Sequence, residues 1–484
     1  MFESVKSNKM NYYIHSLITL LIMFGFGHLP AAAPLTPLGM NLIGIFLGLL
    51  YGWIFVDIVW PSMAGLLAMM LIGGMAPKAL LNASFGDPIV VMMFFIFIFC
   101  AAIDQYGLSH FISLWFITRK FVQGKPWAFT FVFLASISIL GGLTSASPAV
   151  LIGWSILYAV CDLCGYKKGE PYPTMMVFAI VFAGQVGMSM IPFKQVPLTV
   201  LGAFSNISGM TIDYAKYMLI AILSCVACAC LLLCVCRLVI RPDVSKLLNL
   251  DASKLDKSGK GLVLTRVQKI VFGFLIALVL CMLLPSFLPK ELIITKFLKG
   301  IGNTGICILI VAIMCFIKVE GKPLIKIKEA IDSGVAWSII FLLAAVQPLS
   351  TAMSAKESGI TEWMIQMLDP IFGGKSPVFF MVVIGLIATL LTNVMNNGAL
   401  GVALMPFIYS YCSANGVDPQ LSVIIVVMCV HLAFLTPAAS SSASLLHGND
   451  WISTKPIMKI AVPVVAVSWA AVTIITLAIG AFVF

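Results

Sequence analysis

Apolar residues run along this chain in long blocks, and short polar clusters separate the blocks. A bilayer core about 30 Å thick takes roughly 20 apolar residues per helix. Blocks of that kind recur at 13–30, 40–56, 59–76, 88–107, 174–203, 215–240, 268–287, 300–317, 334–354, 421–447 and 458–482, which predicts eleven transmembrane helices. Segments 127–163 and 376–413 are equally apolar, but glycine, proline and polar residues interrupt them. They read as two re-entrant hairpins. The stretch 109–122 sets Phe111, Leu114, Trp115 and Phe116 against Arg119 and Lys120, the pattern of a helix lying along the membrane interface.

Composition puts nearly all of the chain in lipid. Of 484 residues, 61% are hydrophobic and only 10% charged, which no soluble globular domain matches. The opening MFESVKSNKMNYYIH leads into an apolar segment without a small-residue cleavage site, so 1–36 reads as a retained N-terminal helix. A net charge of +10 raises the question of nucleic acid, but the basic residues sit in short loops. Only seven of them (Lys78, Lys216, Lys290, Lys296, Lys299, Lys356 and Lys375) fall outside when the N-terminus is cytoplasmic and both interrupted segments are re-entrant. Positive-inside topology therefore predicts an inner-membrane protein with a cytoplasmic N-terminus and an external C-terminus, and no nucleic-acid partner. The 13 cysteines lack metal-ligand spacing and read as small apolar fillers.

The chain also repeats itself. A polar linker at 241–266 divides it into halves, 37–240 and 267–484. Gly107-Leu108 matches Gly359-Ile360, the break around Ser145 matches the break around Asn396, and Pro192 matches Pro437, at spacings of 252, 251 and 245 residues. Each half holds five spans, an odd number, so the second copy enters the membrane inverted. Inverted repeats with interrupted helices are a signature of secondary transporters, whose sites lie at the repeat interface near the midplane.

Chemistry is expected at the breaks. Gly141 to Pro148 brings two glycines, three hydroxyls and a proline into apolar sequence, where free backbone groups survive only inside protein or facing water. A half-helix starting there offers open N–H groups and a positive dipole end to an anion, with Thr144, Ser145 and Ser147 at the tip. Asn396, Asn397 and Gly398 form the corresponding tip in the second half. The partner breaks, 184–194 and 436–442, expose carbonyls and hydroxyls suited to a hard cation such as Na⁺. Ser145, Gly187 and Ser189 are the candidate cation ligands in the first half, and Asn393, Asn397, Ala438 and Ser440 in the second. Lys194 is the one cation left at membrane depth, which makes it a functional candidate, with snorkelling to an interface as the alternative. His431 reads either as a proton shuttle or as a hydrogen-bonded helix residue.

This pattern resembles the divalent anion:sodium symporter (DASS) family, through the two hairpins together with Trp60-Pro61, Phe85-Gly86-Asp87-Pro88, the run from Ala102 to Leu108, Trp337 and Glu357-Ser358-Gly359-Ile360. The resemblance implies an elevator-type homodimer, in which a transport domain slides against a scaffold with substrate between the hairpin tips and Na⁺ beside each. The chain departs from the family's Ser-Asn-Thr tips: Asn396-Asn397-Gly398 keeps the central Asn, whereas Ser145-Ala146-Ser147 loses it. Phe193-Lys194-Gln195-Val196 stands where Thr-Pro-Pro-Asn is expected. The expectation is an all-α secondary transporter of small organic anions such as dicarboxylates, needing no cofactor, with any Na⁺ at the second-repeat site. Proton coupling or anion exchange is the main alternative. A channel is a weaker one, and a hydrolase lacks a histidine near the hairpin serines.

Overall fold

The computed structural model describes residues 2–118, 124–250, 263–289, 291–319, 321–437 and 439–484. In chain order its helices are α1 (Phe2–Gly25), α2 (Pro37–Phe55), α3 (Val59–Leu71), α4 (Pro77–Ala83), α5 (Pro88–Gln105), α6 (Leu108–Ile117), α7 (Pro126–Leu143), α8 (Ala146–Cys164), α9 (Pro171–Met188), α10 (Gln195–Ser208) and α11 (Tyr214–Val235). The second half supplies α12 (Arg266–Phe287), α13 (Ile293–Phe316), α14 (Ile327–Gly334), α15 (Trp337–Ser354), α16 (Ile360–Phe372), α17 (Pro377–Leu391), α18 (Asn397–Asn415), α19 (Gln420–Cys429), α20 (Ser441–His447) and α21 (Thr454–Val483). Local sequence sets many of these boundaries. Proline occupies the first turn of α2, α5, α7, α9 and α17, where its missing N–H has no intrahelical partner to lose. A Thr265–Gln268 capping box opens α12.

Repeat symmetry is visible in the order of elements and in the backbone. Gly107 and Gly359 both adopt left-handed φ, 64° and 66°, and each turns the chain from a long helix into a short one, α6 or α16. Gly165 and Gly416 do the same at the ends of α8 and α18, at 71° and 63°.

Both interrupted segments fold back on themselves. A Cβ on Gly153 of α8 would lie 3.0 Å from Ile137 Cδ1 of α7, residues on either side of the Thr144-Ser145 break. Phe380 of α17 stacks on Tyr411 of α18 with ring centroids 3.8 Å apart. The α16–α17 junction bends by 101°. Among the described residues eleven helices are long and apolar enough to cross a bilayer, the number expected, but their membership differs. Both arms of the first hairpin qualify, at 18 and 19 residues, whereas α3 and α19 are shorter because a break ends each early. The span expected at 300–317 begins instead at Ile293 and kinks at Gly302.

Of the interfacial stretch 109–122, α6 covers 109–117, and 119–122 lies outside the described residues. Part of the linker is docked onto the helices. Lys246 pairs with Glu170 at 2.8 Å, Tyr166 donates to Asp243 O, and Leu247 is buried.

At the centre stands α9, buried from Tyr172 to Met188 at every position but Thr174. A helix apolar on every face belongs inside the bundle. Its glycines allow backbone to touch backbone. A Cβ on Gly141 of α7 would overlap Gly184 O, and one on Gly187 would overlap Ser138 O. The first hairpin and α9 are thereby packed as one block, as small residues permit in membrane helices.

Candidate functional site

The two hairpin tips, equivalent by repeat, are finished differently. In the second, the Asn396 side chain accepts from the N–H groups of Gly398 and Ala399 and so caps α18 itself. Asn397 is buried and accepts from Thr392 Oγ1 at 3.0 Å, and Gly398 sits beside Thr199 of α10. In the first tip, Ser145 stands at the N-cap of α8 with extended backbone and no capping side-chain bond. The positive end of α8 is left open to a ligand.

That open end lines a cavity of about 540 Å³. Thr144, Ser145 and Pro148 form one wall with Lys194 and Gln195; α5 supplies Cys100, Asp104 and Gln105, and α14 supplies Ser333 and Gly334. The sequence pointed to the tip and to Lys194. It did not point to the wall from α14, which no motif marks and only the tertiary fold brings near.

Lys194 does not snorkel. Only 5% of it is exposed, and its Nζ donates to Leu143 O at 2.8 Å, Thr144 O at 2.7 Å and Cys100 Sγ at 3.4 Å. Those carbonyls belong to the last turn of α7, where intrahelical partners run out and the dipole is negative. The ammonium thus sits on the carbonyl oxygens that end α7.

The other first-half candidates are engaged elsewhere. Gly187 is small because Ser138 presses on it, and its carbonyl accepts from Met190 N. Ser189 Oγ donates to Val186 O, and its carbonyl accepts from Tyr217 at 2.6 Å. Ser147 reaches across the repeat to Ser441 at 2.9 Å, and Gln185 accepts from Ser442 at 2.8 Å.

In the second half, neutral groups join tip to break. Asn393 Oδ1 accepts from the N–H groups of Phe434 and Leu435, while its Nδ2 donates to Thr389 O and Leu432 O. Thr392 donates to Val430 O, and Thr436 Oγ1 donates to Asn393 O. Ser440 caps α20 and donates to Ala433 O. Ala438 lies outside the described residues. His431 is bonded through Nδ1 to Val427 O at 2.7 Å, in keeping with a helix-bonded residue. Away from this site, Asn206 of α10 donates to Asp87, the N-cap of α5, at 3.3 Å and to Gln347 within α15 at 2.9 Å.

The family described as citrate transporter matches residues 47–431. Among curated proteins, an uncharacterized transporter of Synechocystis, sll0640, is 28% identical over 118 residues, 24% of this chain and 19% of its own length. The Na(+)/citrate cotransporter of Rattus norvegicus is 24% identical over 132 residues, 26% of this chain and 23% of its own. The chain thus spans about a fifth of the length of the curated relatives it matches. The fold is similar to that of the Alcanivorax borkumensis YdaH transporter, with a TM-score of 0.55 and 14% identity over 97% of both chains. Neisseria gonorrhoeae MtrF, an antimetabolite efflux pump, gives 0.55 and 12% over 96% of this chain and 93% of its own. The match to a transporter family over most of the chain sets the hydrolase alternative aside.

Proposed function

Because the chain belongs to the citrate transporter family, we propose that it is a secondary transporter of small organic anions, di- and tricarboxylates among them. One observation carries this reading: the uncapped N-terminus of α8 faces a cavity whose wall also holds a buried ammonium. Free N–H donors at a positive helix end and a fixed cation are what a carboxylate needs in place of water. In this reading the anion binds at Thr144 and Ser145 beside Lys194, with Ser147 behind them bonded to Ser441. In the positive-inside orientation, with an external C-terminus, Asp104, Gln105 and Ser333 lie at the cytoplasmic ends of their helices, so the cavity is the inward route to the site.

The hairpins and broken helices, α7–α11 with α17–α21, form the moving part of an elevator within a homodimer. Any coupling Na⁺ belongs to the second-repeat site of Asn393, Asn397, Ala438 and Ser440, where the ligands are neutral oxygens. The test is uptake of labelled citrate and succinate by proteoliposomes, with and without Na⁺, a proton gradient or internal anion. Saturable uptake of either anion is expected. Linear flux without counterflow indicates a channel, and no flux of any carboxylate refutes the reading.

A further inference from the structure

A second cavity, of about 450 Å³, shares no residue with the first and opens where the starts of α9 and α21 meet the end of α11. The backbone there departs twice from a regular helix. Cys236–Ile240 form a wider π-helical turn after α11, and Arg241, at a left-handed φ of 49°, then carries the chain away. Both conformations are uncommon for these residues, and π turns recur at functional sites. Val239 and Ile240 of this turn make one wall of the cavity.

The facing wall belongs to α21. Lys455 and Lys459 stand four residues apart on one side of its first two turns, and both are exposed. Two ammonium groups at that spacing repel each other. Among the described residues neither has an ion pair, because the neighbouring carboxylates are committed elsewhere: Glu170 to Lys246 at 2.8 Å, and Asp450 to Lys168 at 3.8 Å. Ser453 caps no N–H of α21, so the open first turn adds to the positive field. Trp451 closes the rim, stacked on Tyr158 of α8 with ring centroids 4.8 Å apart.

We propose that this groove holds the headgroup of one anionic phospholipid, its phosphate between Lys455 and Lys459 and its glycerol end against Val239 and Ile240. The polarity of the groove runs in the order that a lipid requires. Charge lies on the α21 side, while the π turn is apolar and continues into the membrane-spanning surface, with Leu238 70% and Val239 41% exposed. A tryptophan at headgroup level is the usual companion of such a site. Basic pockets between transmembrane helices suit anionic headgroups, and in the positive-inside orientation this one meets the cytoplasmic leaflet. Lysines that only mark the cytoplasmic side need an interface; this pair also lines a cavity that no carboxylate among the described residues shares.

The experiment titrates delipidated full-length protein in detergent with phosphatidylglycerol and with phosphatidylcholine of the same acyl chains, and counts bound lipid by native mass spectrometry. One phosphatidylglycerol per chain should bind about 25-fold more tightly than phosphatidylcholine, about fivefold for each lysine. Lys455→Gln with Lys459→Gln should bring the two lipids to equal affinity. Lys318→Gln with Lys322→Gln removes as much charge outside the groove and should keep the preference. Thermal unfolding of each purified variant reports folding, and the single substitutions, each losing about fivefold, carry the test if the double variant does not fold. Equal affinities in wild type, a preference unchanged in the folded Lys455/Lys459 variant, or one lost in the Lys318/Lys322 variant overturns the proposal. Displacement of the lipid by equimolar glycerol phosphate assigns the groove to a free phosphate and overturns it too. No transport is measured, so each of these outcomes leaves the anion-transport reading as it stands.

Discussion

Replacing Asn393 by leucine should destabilise the protein by a predictable amount. The native amide is 3% exposed and has both ends engaged: Oδ1 accepts from Phe434 N at 3.0 Å and Leu435 N at 2.8 Å, and Nδ2 donates to Thr389 O at 2.8 Å and Leu432 O at 3.3 Å. Leucine has the same branched shape and the same number of side-chain heavy atoms, with bulkier methyl ends, so no cavity opens. What remains is two N–H donors without acceptors in a buried break, each costing about 1–3 kcal/mol. Their sum, about 2–6 kcal/mol, is large against the margin by which proteins stay folded. Water cannot rescue Phe434, which is fully buried. The measurement is thermal unfolding of the purified protein in detergent, followed by tryptophan fluorescence and by loss of the monodisperse size-exclusion peak. A midpoint equal to wild type would mean that the amide does not hold the second hairpin to its broken helix.

Further outcomes follow from the same geometry. Ser145→Ala with Ser147→Ala should raise the apparent dissociation constant for citrate or succinate, read by the ligand-induced shift in melting temperature, while unliganded melting stays close to wild type. Gly141→Ala forces a Cβ onto Gly184 O and should cost about 1–3 kcal/mol through overpacking, measured by the same melt. Single cysteines at Lys125 and Lys168, in a background stripped of native thiols, should label from the same membrane face if the first hairpin is re-entrant; labelling from opposite faces would make its arms two full spans.

Long-range periodicity carried much of the fold. Apolar block length located the helices, and glycine and proline located the breaks, because both are consequences of local backbone chemistry in a solvent without hydrogen bonds. The mismatch in which helices are long enough to span arises where a break shortens one, as in α19, since hydropathy does not register a helix that stops inside an apolar run. The site was legible at Ser145 and Lys194 because hydroxyls and a cation are conspicuous in hydrocarbon. Unequal capping of the two tips was not, since Asn396 and Ser145 are both good N-cap residues by type and only packing decides which one turns back onto its helix. The Asn206 contact with Asp87 and Gln347 likewise joins residues up to 141 positions apart.

The glycine contact between α7 and α9 has a consequence for how this sequence can drift. Lys194 reaches Leu143 O and Thr144 O only because those two backbones lie against each other at Gly141, Gly184 and Gly187. A mutation that adds a methyl group to Gly141 or Gly187 pushes the acceptors away from the amine without touching either. The lysine and the glycines therefore form one inherited unit, and a lineage that loses the glycines would have to give up the charge as well.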